Sequence, residues 1–154
     1  MEFDRVSLFG DKISIRIPHD WIEIDLDDKE TYTFSDPNSS LGWLRINLFT
    51  KKTKELFCEA DLRELISNAH DGECGVYKVG EMYVAAWQED AKHEDNLRMF
   101  YWEAGEIIDP QTMRIAAISF AVEQERFKEE GFNDKFEMIQ DCVFATSFTS
   151  TETA

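Results

Sequence analysis

The chain has 154 residues, of which 32 are acidic and 16 are basic, so its formal net charge is −16 at pH 7. Such a charge repels the phosphates of nucleic acids and the anionic surfaces of membranes, and we therefore expect no nucleic-acid partner and no membrane insertion. A content of 43% hydrophobic and 13% aromatic residues excludes a disordered chain and predicts a packed core.

The first predicted element is a β-hairpin around Gly10-Asp11. Residues 6–9 and 12–17 flank this dipeptide, and glycine at the first central position favours a type II′ turn. In the second strand, which reads KISIRI, the isoleucines alternate with polar residues and point to one face. Pro18 removes a hydrogen-bond donor from the ladder and ends the strand, and Trp21 is predicted to fill the core just beyond it.

Two more strands are predicted at 31–34 and 41–49. The acidic stretch 25–30 before them is interpreted as a solvated loop, and the run SDPNSS between them as a turn. The second of these strands alternates so that Leu44, Ile46 and Leu48 lie opposite Trp43, Arg45, Asn47 and Phe49. Both of its faces therefore carry bulky side chains.

A helix follows, with Thr53 as its predicted N-cap and its end near residues 70–72. Its apolar stripe has helical spacing and consists of Cys58, Leu62, Leu65, Ile66 and Ala69. From residue 76 the period returns to two, which predicts an antiparallel meander with strands at 76–79, 82–89, 97–104 and 113–122. The last of these is apolar or small almost throughout, as is typical of a central strand that is covered on both faces.

A second amphipathic helix is indicated by Phe132, Phe136, Ile139 and Val143. The elements together predict an α+β fold, in which an antiparallel sheet of about six to seven strands is sandwiched by helices. We expect a single domain over residues 1–148 and a flexible C-terminal tail over 149–154, which is rich in threonine and serine.

The cysteines favour a reducing compartment. There are three of them, an odd number, and no CxxC pair occurs. The N-terminus lacks the basic and apolar regions of a signal peptide, so we expect a cytoplasmic protein. Cys58 and Cys142 fall in the helical patterns and are predicted to pack on the core side.

No local motif indicates catalysis or a bound metal or cofactor. The sequence contains no HExxH, no GxSxG and no glycine-rich phosphate loop. Asp25, Asp27 and Asp28 resemble part of a calcium loop but lack the glycine and the distal glutamate of an EF-hand, so a solvated loop is the simpler interpretation. The histidines are far apart and are interpreted as surface or loop residues: His19, His70 and His93. We expect no enzymatic activity and assign no metal and no cofactor.

Aromatic residues are the feature that points to function. Tryptophans alternate with arginines on the predicted strands, and Phe49 and Phe100 share the pattern. Aromatic residues and arginine are enriched in interface hot spots, so we take five residues as candidates to face a partner: Trp43, Arg45, Trp87, Arg98 and Trp102. The alternative is that these rings fill the layer between sheet and helix, because large aromatics also dominate cores.

The order of elements, with the strand end Pro18-His19-Asp20-Trp21, resembles that of the PsbP-like superfamily. Gly80 before the strand that carries Trp87 is a second point of similarity. That group includes the photosystem subunit, DcrB-like proteins, some secretion-effector chaperones and a Ran-binding nuclear import factor, and the resemblance favours the DcrB-like or chaperone-like branch. It implies an antiparallel sheet sandwiched by helices and a module that docks to other proteins. No functional residue is carried over.

These observations predict a non-enzymatic cytoplasmic module, an adaptor or chaperone-like protein, that binds another protein with a basic or apolar surface. Two alternatives stay open. One is an immunity protein whose acidic surface neutralises a basic toxin. The other is a small-ligand-binding or enzymatic domain with a cleft between sheet and helix, which requires a closed pocket and converging polar groups.

Overall fold

The computed structural model describes residues 2–24, 30–37, 42–72, 74–90, 97–123 and 132–149. Several predicted features lie outside these ranges. They are most of the acidic loop with Asp25, Asp27 and Asp28, the second half of the SDPNSS turn, His93, and residues 150–154 of the predicted tail.

Within the described ranges the strands are β1 Phe3–Leu8, β2 Ile13–Pro18, β3 Ile22–Ile24, β4 Thr31–Ser35, β5 Trp43–Lys52, β6 Gly75–Val79, β7 Met82–Asp90, β8 Leu97–Asp109, β9 Thr112–Glu123 and β10 Ser147–Phe148. The helices are α1 Glu59–Ser67 and α2 Phe132–Phe144, and a 3₁₀ turn spans Ala69–Gly72. A seven-stranded sheet has the order β3-β4-β5-β9-β8-β7-β6, and a three-stranded sheet has the order β1-β2-β10. The predicted α+β fold with an antiparallel sheet sandwiched by helices is confirmed.

The first hairpin forms as predicted but belongs to the three-stranded sheet. Its turn is closed by a hydrogen bond from the N–H of Lys12 to the carbonyl of Phe9 at 3.4 Å. Gly10 and Asp11 both have φ of 63°, and positive φ at both central residues defines a type I′ turn. The predicted type II′ turn is therefore wrong, because Asp11 also adopts the left-handed region that aspartate tolerates better than most residues.

The main core lies between the two sheets and α2. The isoleucines of β2, Ile13, Ile15 and Ile17, are at most 2% exposed, as their alternation predicts. β9 occupies the centre of the seven-stranded sheet, which agrees with its nearly continuous apolar sequence. α2 contributes Phe132, Ile139 and Val143 to the same core, so the second helix is confirmed.

The first helix begins later than its pattern predicts. The N–H of Thr53 donates to the carbonyl of Gln111 at 3.1 Å, and that of Phe57 donates to the carbonyl of Pro110 at 2.6 Å. Because these donors are paired with the turn between β8 and β9, the segment from 53 to 57 does not close helical rings. α1 therefore begins at Glu59.

Cys58 takes the N-cap position instead of Thr53. Its N–H donates to Oδ2 of Asp61 at 2.8 Å, which is one half of a capping box. A side chain at the N-cap lies outside the helical stripe, so Cys58 is exposed, contrary to prediction. Cys142 is buried as predicted, and this burial raises the pKa of its thiol to about 11.

We expect iodoacetamide to modify Cys58 in the folded protein and to leave Cys142 unmodified. The thiolate is the reactive species, and a buried thiol with a pKa of about 11 holds very little thiolate near neutral pH. Peptide mass spectrometry after a timed reaction, with and without urea, measures both sites. Equal labelling of the two cysteines without urea would contradict the structure.

The C-terminal part of the described chain is tied to the fold. Phe148 is buried at 7% exposure in β10. The N–H of Thr149 donates to the carbonyl of Lys12 at 3.0 Å, and Nη1 of Arg114 donates to the carbonyl of Thr149 at 2.9 Å. Thr149 thus still contacts the fold, while the flexible tail stays a prediction because residues 150–154 lie outside the described ranges.

Candidate functional site

The seven-stranded sheet has two faces with different cover. Its inner face packs against the three-stranded sheet and α2. α1 packs on the opposite, outer face, where a Cβ on Gly105 would lie 3.0 Å from the Cδ1 atoms of Leu62 and Ile66. This close approach needs a glycine. It places α1 over the part of the outer face that is formed by the start of β7, the end of β8 and the start of β9.

A carboxylate holds α1 in that place. Oε1 of Glu59 accepts hydrogen bonds from Nζ of Lys78 and from Oη of Tyr83, both at 2.6 Å. The bond from Lys78 and then that from Tyr83 lower the pKa of Glu59. The start of α1 is thus tied to β6 and β7, and the helix does not extend over the other half of the sheet.

The remaining half of the outer face carries no described helix. Residues that pair directly across antiparallel strands point to the same face, and Arg45, Ser119, Tyr101 and Trp87 form such a row from β5 to β7. The neighbouring row runs through Trp43 and Met99. We call this surface the open face and define it by Trp43, Arg45, Trp87, Met99, Tyr101 and Ser119.

The side chains of the open face are accessible. Arg45 is exposed, and the other five are partly exposed. Burial, followed by the charge of Glu89 and a hydrogen bond to that carboxylate, raises the pKa of Tyr101, so its hydroxyl stays neutral at physiological pH and donates to Glu89. Burial alone raises the pKa of Glu103, which lies on the same face next to Tyr101. The surface combines large rings with one exposed cation.

Two rings of the open face stack with each other and with a third ring from outside it. The centroids of Trp87 and Tyr101 lie 5.3 Å apart with an interplanar angle of 20°. His70, from the 3₁₀ turn after α1, stacks on Trp87 at 5.4 Å and 12°. Its Nδ1 lies 3.9 Å from Oε2 of Glu89. Trp87 is therefore held on both sides, which limits its rotamers before any partner binds.

The structure brings three of the five predicted site residues to one surface. Trp43, Arg45 and Trp87 lie on the open face, whereas Arg98 and Trp102 lie on the inner face. Trp102 is 1% exposed and belongs to the core, so it is not accessible to a partner. Arg98 is partly exposed, and its Nε donates to Oδ1 of Asp90 at 3.1 Å.

The two aromatic residues that share the pattern are also separated. Phe49 lies on the outer face and is 58% exposed, whereas Phe100 lies on the inner face and is 5% exposed. Sequence reasoning missed His70 and Tyr101 as members of the aromatic surface. Tyr101 can be recognised as part of this surface only once it is known to pair with Trp87. His70 can be recognised only once the 3₁₀ turn that carries it is placed above that pair.

A cleft of about 280 Å³ lies between β7, β8 and α2 on the inner side of the sheet. The described residues that line this cleft are Ala86, Trp87, Gln88, Phe100, Tyr101, Trp102, Phe132, Asn133, Phe136 and Gln140. None of these lining residues is a carboxylate, histidine, cysteine, lysine or arginine. The rings on its inner side are Phe100, Trp102, Phe132 and Phe136, and its polar amides are Gln88, Asn133 and Gln140, whereas the side chains of Trp87 and Tyr101 point to the outer face. Such a surface suits an apolar group with few polar contacts.

Neither a metal centre nor a membrane segment is evident in the part of the chain that the structure describes. No three side chains of histidine, cysteine, aspartate or glutamate among those residues are arranged to hold a metal ion. None of the described helices combines the length and the apolar composition that crossing a bilayer requires.

Solved structures share this fold, although no protein-family model and no curated protein matches the sequence. A crystal structure from Bacteroides thetaiotaomicron VPI-5482 is similar with a TM-score of 0.69 and 16% identity, over 100% of this chain and 51% of that one. The chain thus spans about half the length of that protein. The Saccharomyces cerevisiae Ran-binding protein Mog1p is similar with a TM-score of 0.56 and 11% identity, over 96% of each chain.

The solution structure of cyanobacterial PsbP from Synechocystis sp. PCC 6803 is more distant, with a TM-score of 0.46 and 11% identity, over 95% of this chain and 92% of that one. The Bacteroides structure and Mog1p show the fold, and at 16% and 11% identity they show the fold alone. The fold that the resemblance implies is shared with Mog1p, and membership of the superfamily stays a prediction. The DcrB-like or chaperone-like branch stays a prediction.

Proposed function

We propose that this chain is a non-enzymatic protein-binding module whose open face docks a partner protein. One observation carries the proposal: Trp43, Arg45, Trp87 and Tyr101 lie on one accessible face of the seven-stranded sheet, in two neighbouring rows of side chains. Fold likeness to a Ran-binding protein supports protein binding as a class, by analogy. The chain is then an adaptor or chaperone-like protein, and its odd cysteine count favours the cytoplasm.

The open face has the properties of an interface centre. Strands hold its side chains more rigidly than loops would, and the stack of His70, Trp87 and Tyr101 reduces the rotamer entropy that binding would otherwise cost. Partly exposed aromatic rings release water when a partner covers them, and Arg45 offers several donors in a planar group. A partner therefore gains apolar contact and hydrogen bonds on a surface that is already ordered.

Charge indicates the kind of partner. The chain carries 32 acidic and 16 basic residues, so its overall field attracts a basic protein and steers the encounter. The open face itself presents rings and Arg45, with the carboxylates of Glu89 and Glu103 beside them. We therefore expect a partner with an apolar centre and a basic rim, and an association rate that falls as salt concentration rises.

The test compares proteins that the wild-type chain and a Trp43→Ala/Arg45→Glu double variant retain from native lysate. We expect the stoichiometric partner of the wild type to bind the double variant roughly 30-fold more weakly or worse, because hot-spot residues contribute about 2 kcal/mol or more. Titration of the purified pair by calorimetry gives the affinity.

Leu56→Ala is the matched control, because Leu56 is 73% exposed and lies outside the open face. Both variants should keep the wild-type melting temperature, so that weaker binding does not reflect unfolding. A partner that binds the double variant and the wild type equally would overturn the proposal. So would the repeated absence of a stoichiometric partner for the folded wild type.

A further inference from the structure

The outer edge of β7 is only partly paired. β6 pairs with β7 from Met82 to Ala86 and ends there, at Gly75. β7 continues as a strand to Asp90 and pairs with β8 over that whole length. Residues 87–90 thus have β8 on one side, and no strand among the described residues on the other. The backbone groups on this side are a template for another strand.

The aromatic cleft lies beside this open edge. Alternate side chains of β7 point to opposite faces, and Ala86 and Gln88 are the ones on the inner side, where they line the cleft. The cleft wall is a ring cluster, in which Phe136 of α2 lies 4.6 Å from Phe100 and 5.9 Å from Trp102 between centroids. A strand added beside residues 87–90 would direct its inner side chains toward this wall.

The edge carries a carboxylate on each side. Glu89 is exposed on the outer face, and Asp90 is exposed on the inner face, where it accepts a hydrogen bond from Arg98. Two copies of this edge in antiparallel pairing would bring these carboxylates close together, and like charges across a strand pair are destabilising. Lysine or arginine in an added strand would be attracted instead. Charge therefore favours a basic peptide over a second copy of this chain.

We propose that residues 87–90 bind an extended, basic peptide segment of a partner protein by β-augmentation. The peptide adds a strand to β7, places one large apolar side chain in the cleft beside Phe100 and Phe136, and sets a lysine or arginine near Glu89. Backbone hydrogen bonds supply affinity, and the cleft supplies specificity for the apolar residue. The inference rests on the proposed function only in making the chain a protein-binding module. The peptide uses the backbone edge and the cleft, and this segment shares only Trp87 with the open face.

The test uses fluorescein-labelled peptides in which lysine and threonine alternate around one central phenylalanine, leucine, isoleucine or tryptophan. We expect saturable binding by fluorescence anisotropy, and amide shifts in two-dimensional NMR spectra that are largest at residues 87–90. Methylating every second backbone nitrogen gives two kinds of peptide, which differ in whether the methylated nitrogens face β7. The peptide whose methylated nitrogens face β7 should bind at least about tenfold more weakly. A peptide of the same composition with clustered lysines should bind more weakly than the alternating one.

Protein variants separate the edge from the open face. Glu89→Lys should weaken binding of the basic peptides, and Ala86→Phe should weaken it by filling the cleft, while Leu56→Ala should leave it unchanged. The Trp43→Ala/Arg45→Glu double variant should also bind the peptides like the wild type. If that double variant loses them, the peptides bind the open face, and the edge proposal is wrong while the proposed function survives.

Three other results would overturn the edge proposal. The first is that both N-methylated peptides bind as tightly as the unmodified peptide. The second is that none of the alternating peptides binds. The third is that sedimentation shows a wild-type dimer whose dimerisation the Glu89→Lys substitution changes. The last of these would assign the edge to a second copy of the chain. None of them affects the binding of a folded partner at the open face.

Discussion

Trp102→Ala should lower the free energy of unfolding by about 3–5 kcal/mol, the usual range for removing a large buried ring. Trp102 is 1% exposed, and its indole lies 5.9 Å from the ring of Phe136 between centroids. It occupies the inner face of β8, where the sheet meets α2. Alanine would leave a cavity between two elements that are far apart in sequence, so the loss should affect the whole fold.

Trp102→Phe is the matched control. Nε1 of Trp102 is buried and has no hydrogen-bond partner within the described part of the chain. Phenylalanine keeps most of the ring contact and removes this unsatisfied donor, so we expect it to lose less than half as much stability as alanine. Urea unfolding followed by far-ultraviolet circular dichroism measures both variants. Wild-type stability of Trp102→Ala, together with lost partner binding, would instead place Trp102 at an interface.

Gly42→Ala should lower the free energy of unfolding by at least about 3 kcal/mol, because strain and a steric clash add together. Gly42 has φ of +138°, and a Cβ at this position would lie 1.6 Å from the carbonyl oxygen of Ala121. Alanine therefore forces the start of β5 away from β9. Trp43 is the next residue, so we also expect weaker binding of a partner at the open face.

Gly80→Ala isolates the clash. Gly80 also has positive φ, +62°, but a Cβ there would meet no atom within 4 Å. Only the backbone preference opposes alanine at this turn, and the cost should be about 1–2 kcal/mol. Thermal unfolding of the two variants measures the difference. Equal losses in melting temperature would show that the contact of Gly42 with Ala121 is not as close as described.

The open face illustrates where pattern reasoning stops. Alternation correctly puts Trp43 and Arg45 on one side of β5 and Leu44 and Ile46 on the other. It says nothing about which side of β7 or β8 continues that surface. Trp87 and Trp102 fit the same alternating pattern, yet Trp87 pairs with Tyr101 while Trp102 pairs with Ala86. A register difference of one residue separates a surface ring from a core ring.

The start of α1 shows a second limit. Thr53 is a good N-cap by residue type, but its N–H pairs with Gln111, which is distant in sequence. Local propensity is weaker than such a tertiary contact, so the helix begins at Glu59 and Cys58 becomes exposed. β10 was not predicted either, because a two-residue strand has no period to detect.

Sequence alone determined the elements whose signals are local: the isoleucine strand ending at Pro18, the apolar central strand β9, the stripe of α2 and the antiparallel α+β class. These depend on side-chain period and on proline or glycine, which act within a few residues. Tertiary structure decided which predicted rings share a face, the separate three-stranded sheet and the edge at 87–90, which has no second strand beside it among the described residues. Strand register and helix placement depend on contacts between distant residues, and those contacts leave Trp43, Arg45 and Trp87 on the surface while they bury Trp102.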